Sequence, residues 1–186
     1  FSLSLFLFYC YILYQNIAIM PVWSANHWKQ LSGLCAGFIF ATVWFDMMFD
    51  SRVSSCCGDP SSCSSEEVSA HLSVISSYYK NVTVDAFPRG FLLGFVMLLG
   101  VVAAYESWKR SRLLRWLQPL TLVAVSVIAA GFAFSDCIAL GQMGGSLEGF
   151  PKACNILNLH MLQLFILFGH IFIHLFAPTG SVVKRE

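Results

Sequence analysis

Charge is scarce in this sequence. Only 11% of its 186 residues are Asp, Glu, Lys or Arg, less than half of the roughly 25% typical of a soluble domain. So few charges cannot clothe a water-facing surface, which excludes an ordinary soluble domain. A net charge of only +1 excludes a nucleic-acid binder. Catalytic signatures are missing too. There is no phosphate-cradling P-loop, no HExxH and no GxSxG elbow, and Cys56-Cys57 is not a CxxC pair. No internal repeat of the kind transporters carry is visible. No carboxylate falls near the middle of an apolar run, where a proton-coupled transporter places one.

What the chain has instead is apolar sequence: 57% of residues are hydrophobic, gathered in long runs. A bilayer core about 30 Å thick needs about 20 mostly apolar residues in a helix. Residues 31–49, 87–105, 117–134 and 156–176 meet that standard. None shows the sustained alternation of a barrel strand, so the expected class is an all-α integral membrane protein with four transmembrane helices in a single polytopic domain. Pro119 falls near the expected start of the third span, where its missing N–H does no harm. Residues 1–19 are a possible fifth span, apolar and uncharged; three readings compete: a true helix, a precursor remnant, or sequence upstream of a start at Met20. No basic n-region precedes the run, which argues against a secretory signal.

Lys and Arg set the expected orientation. Seven of the eleven fall on one side: Lys29, Lys109, Arg110, Arg112, Arg115, Lys184 and Arg185. Eight of the ten acids fall on the other, leaving Glu106 and Glu186. The loop at 109–115 and the C-terminus are therefore expected in the cytosol or the mitochondrial matrix, with Trp28, Trp108 and Trp116 as an aromatic belt. A mitochondrial inner membrane and an endomembrane or plasma membrane fit equally.

Two outer loops, 50–86 and 135–155, face the opposite compartment. They hold Cys56, Cys57, Cys63, Cys137 and Cys154, five of the seven cysteines. That asymmetry points to an oxidising compartment and disulfide-stapled loops. Five is odd, so at most two bridges form and one thiol is left. Cys137 with Cys154 would close one loop, and a bridge between loops is equally allowed. Ser64 and Glu67 have capping-box spacing, and Val68, Leu72, Ile75 and Tyr79 follow as one apolar stripe, so a short amphipathic helix is expected from Ser64 to Lys80. Asn81-Val82-Thr83 is a formal glycosylation sequon. The layout is similar in outline to tetraspan proteins such as claudins and tetraspanins, and Cys56-Cys57-Gly58 has the letters of the tetraspanin Cys-Cys-Gly motif. It stands in the other loop, so the likeness is architectural and identifies no family.

Ionisable residues within spans are functional candidates by default. The last span offers His160, His170 and His174. His170 and His174 lie four apart on one helix face, and His160 shares that face from roughly 21 Å away. They are the candidate haem or metal ligands, but each haem would need a second axial ligand, and His27 and His71 lie outside the spans. Asp46, Asp50 and Asp136 gather at the outer span ends as interfacial charges or an outer cation site. Small residues mark close helix packing: Gly90 and Gly94 form GxxxG in the second span, and Gly33 and Gly37 occupy the first.

With no complete site, the expected function is a non-catalytic accessory or structural subunit of a larger membrane complex, with a respiratory-type energy-transducing assembly as one home. Its partners would be the bilayer and other membrane subunits, with no cofactor and no catalytic or metal residues. The alternatives are a haem- or metal-binding redox protein using His160, His170 or His174, and a small channel or transporter.

Overall fold

The computed structural model describes residues 24–84, 86–108 and 111–177. The candidate span 1–19 with Cys10, and the basic residues Lys109, Arg110, Lys184 and Arg185, lie outside them. Among the described residues every regular element is helical. The α-helices are α1 (Ala25–Asp50), α2 (Ser54–Gly58), α3 (Ser65–Val84), α4 (Ala86–Ser107), α5 (Arg112–Ile128), α6 (Phe134–Met143) and α7 (Phe150–Phe176). A π-helical turn, Ala129–Ala133, joins α5 to α6 without a break. Among the described residues four stretches are long and apolar enough to cross a membrane: Ala25–Gly58, Gly90–Ser107, Leu113–Met143 and Leu147–Phe176.

Local chemistry explains the helix starts. Ser24 donates its backbone N–H to His27 Nδ1 at 3.3 Å, and Ser111 accepts from the Leu114 N–H at 3.3 Å, each satisfying a donor at a helix end. Ser64 does the same for the Glu67 N–H at 3.1 Å. Because α5 begins at Arg112, Pro119 sits two turns inside it and not near its start as the sequence implied. Its ring removes the donor that would meet the Arg115 carbonyl.

The helices also run well past the expected spans. The outer stretch 135–155 was expected to be a loop; it is helical to Met143 and again from Phe150, and the connection shrinks to residues 144–149. The reason is packing between these elements and α3. α3, expected to stop at Lys80, runs twenty residues to Val84 and packs along α6. A Cβ on Gly141 would lie 2.9 Å from the Lys80 backbone nitrogen, so only glycine lets the two backbones approach so closely. Gly144 then takes φ +61° to turn the chain.

α1 packs against α4 and α7, and α5 packs against the same two helices, closing a four-helix ring. Its core is Ala36, Ile39, Val43, Ala104, Leu122, Val125, Leu164 and Leu167. A second core caps one end, where Val68, Leu72, Ile75 and Tyr79 of α3 meet Val53, Cys56, Cys137, Leu140, Ala153 and Ile156. The capped end carries Asp46, Asp50 and Asp136. The opposite, basic end carries Lys29, Trp108, Arg115 and His174.

Candidate functional site

The buried face of α7 bears His160, Gln163, Leu167, His170 and His174, spaced three and four apart so that all five point into the ring. Leu167 and its apolar neighbours divide this face into two polar clusters.

At the capped end, Asp50 has no exposed surface. Tyr79 donates its hydroxyl to Asp50 Oδ1 at 2.8 Å, and His160 Nδ1 lies 2.6 Å from Asp50 Oδ2. One carboxylate thereby joins α1, α3 and α7. Burial, and then the negative charge of Asp50, push the Tyr79 phenol far above its ordinary range. Tyr78 donates to Asp46 and stacks on Phe49 with ring centroids 3.9 Å apart. Asp136 accepts from Lys152 at 3.0 Å and from Asn155 at 2.7 Å. Hydrogen bonds thus tie Asp46 to Tyr78, Asp50 to Tyr79 and His160, and Asp136 to Lys152 and Asn155. Cys56 bonds to Cys63, and Cys57 bonds to Cys154 across 97 residues. Cys137 is a buried free thiol in the capping core, and the pairing with Cys154 is not the one adopted. In the bridged loop Asp59 accepts from the Ser61 hydroxyl at 2.6 Å and the Ser61 N–H at 3.0 Å, which hold its carboxyl below the usual carboxylate range.

At the basic end, His174 Nε2 bonds to the Lys29 backbone carbonyl, and His170 Nδ1 lies 2.7 Å from the Thr121 hydroxyl. The two imidazole rings are nearly parallel, with centroids 5.9 Å apart, and Trp108 stands edge-on to His174 at 6.3 Å. Lys29 Nζ lies 5.3 Å from the Trp108 ring centroid. Arg115 donates to Tyr105 and lies over its ring. Seven buried polar atoms here have no partner among the described residues: Ser32 Oγ, Trp108 Nε1, Arg115 Nε, Gln118 Nε2, Gln118 Oε1, His170 Nε2 and His174 Nδ1. An orphaned buried group costs about 1–3 kcal/mol.

His170 and His174 thus share one end, while His160 belongs to the other. His27 bonds locally to Ser24, and His71 lies 3.9 Å from Glu67. Among the described residues no three His, Cys, Asp or Glu side chains gather to hold a metal ion. Sequence reasoning passed over Tyr79, Gln118, Thr121 and Gln163 as polar site members. Gln163 carried a signal, because it stands three residues from His160 on the histidine face. Gln118 and Thr121 carried none, since their meeting with α7 is a contact between distant segments.

The four glycines expected at helix contacts divide as well. A Cβ on Gly33 would meet His174 Cδ2 at 3.3 Å, whereas one on Gly37, Gly90 or Gly94 would meet nothing within 4 Å. Gly90 and Gly94 therefore form a notch that the described residues leave open, flanked by exposed Phe91 and Phe95. Comparison of the chain with protein-family models, curated proteins and solved structures gives no match.

Proposed function

We propose that the chain is a non-catalytic accessory subunit of a larger membrane complex. The open GxxxG notch on α4 supports this reading most directly. In lipid, helices associate through close packing of small residues, and a Cβ added at Gly90 or Gly94 would meet nothing within 4 Å among the described residues. The partner is then a helix of another subunit, seated between Phe91 and Phe95. α3 serves as an amphipathic brace, with its apolar stripe against the capping core and Glu66, Ser73 and Ser77 outward. The capped end with its disulfides faces an oxidising compartment, and the basic end faces cytosol or matrix.

The test is the native mass of the protein extracted in mild detergent from its own membrane, with co-migrating chains identified. The expected mass lies far above that of one 20.7 kDa chain or its dimer. Gly90→Leu with Gly94→Leu should release the partner chains while both disulfides still form. A wild-type protein that migrates as a lone monomer or dimer overturns the reading.

A further inference from the structure

Proton positions at the basic end follow from its hydrogen bonds. The Lys29 carbonyl can only accept, so His174 Nε2 carries a proton, and in the neutral imidazole His174 Nδ1 is then a bare acceptor. Thr121 has one hydroxyl proton and donates it to the Gln118 carbonyl at 2.7 Å. Its oxygen therefore accepts from His170 Nδ1, which leaves His170 Nε2 bare. Neither bare nitrogen has a partner among the described residues, and the same holds for the donors Trp108 Nε1 and Gln118 Nε2 and for the acceptor Gln118 Oε1. Ser32 Oγ, also unpartnered, can act either way. All five residues are more than nine-tenths buried.

Their neighbourhood is shared by four elements. The His174 ring lies beside His170 and Trp108, stands 3.3 Å from where a Cβ on Gly33, the residue after Ser32, would sit, and is tied through His170 and Thr121 to Gln118. The chemistry of the orphaned atoms selects their guest. A metal ion would serve only the acceptors, and an anion only the donors. A hydroxyl group serves both, because it donates one proton and accepts through its oxygen.

We propose that the basic end of the bundle binds a hydroxyl-bearing guest among Ser32, Trp108, Gln118, His170 and His174. The hydroxyl donates its proton to one of the bare imidazole nitrogens, His170 Nε2 or His174 Nδ1, and accepts from Trp108 Nε1–H or the Gln118 amide. It belongs either to internal water, which characteristically bridges such groups, or to the polar head of a membrane-soluble alcohol or quinol. The inference is independent of the subunit reading, since it concerns atoms enclosed by this chain alone.

The test is solid-state NMR of the full chain in lipid bilayers, with 15N-labelled histidine. The unprotonated nitrogen of His170 or of His174 should resonate upfield of the position of a bare imidazole nitrogen, and should receive magnetisation from a hydroxyl proton. Transfer from water protons identifies internal water. Transfer from a non-exchanging molecule, recovered by mass spectrometry of the extracted protein, identifies a membrane-soluble guest. Trp108→Phe keeps a ring beside Lys29 and removes one donor, so the transfer should weaken while the His174 bond to Lys29 persists. Both nitrogens at the bare position, or transfer unchanged in both Trp108→Phe and Gln118→Leu, overturns the proposal.

Discussion

Asp50 ends the first span with a side chain wholly removed from solvent and two donors directed at it, Tyr79 and His160. A buried carboxylate is tolerable only when hydrogen-bonded, and here the bonds also clamp three helices. Tyr79→Phe removes one donor and should cost about 1.5–3 kcal/mol, the usual range for a bond to a charged group, read as a fall in thermal stability in detergent. The variant also has a pH signature. Tyr79 has its folded pKa raised, so its contribution is fully present at neutral pH and is lost as pH rises past the ordinary phenol value near 10.0. The wild type should weaken in that alkaline window, and Tyr79→Phe should lose this part of the dependence. Equal alkaline slopes would show that Tyr79 does not titrate against Asp50.

At the scale of elements, the capped end is held by covalent ties of very different reach. Cys57–Cys154 closes a separation of 97 residues and Cys56–Cys63 one of 7. Chain entropy assigns them about 4.7 and about 2.4 kcal/mol, as upper limits, because spans that stay helical in lipid have less freedom to lose. Cys57→Ser with Cys154→Ser should therefore lower the unfolding temperature more than Cys56→Ser with Cys63→Ser, and the reverse order would refute the entropic account. The π turn at Ala129–Ala133 matters at this scale too. It adds a residue to one turn and so resets the phase of α6, which then buries Cys137 and Leu140 and aims Asp136 at Lys152 and Asn155. Nothing in the pattern of residues 117–134 announced it, because a π turn differs from an α turn by a backbone register that composition does not encode.

Across the whole molecule, the two ends are chemically opposite, and the proposed orientation makes this measurable. Glu148 is exposed at the capped end and Gln30 at the basic end. A membrane-impermeant maleimide applied to intact cells or organelles should label Glu148→Cys and spare Gln30→Cys; the opposite pattern would invert the orientation.

The helical class and the four long apolar stretches were legible in the sequence. Run length and scarcity of charge are properties of contiguous segments, and in lipid a contiguous segment can satisfy its backbone only as a helix. The apolar stripe Val68, Leu72, Ile75 and Tyr79 was legible for the same reason: its spacing lies within one helix. Tertiary structure alone decided that Cys154 pairs with Cys57 and leaves Cys137 free, and that His160 belongs with Asp50 while His170 and His174 face Thr121 and Lys29. It alone decided that Gly33 packs inward while Gly90 and Gly94 stay open among the described residues. Each of these depends on the distance between residues far apart in the chain, which follows from how the helices turn against one another and from no local pattern.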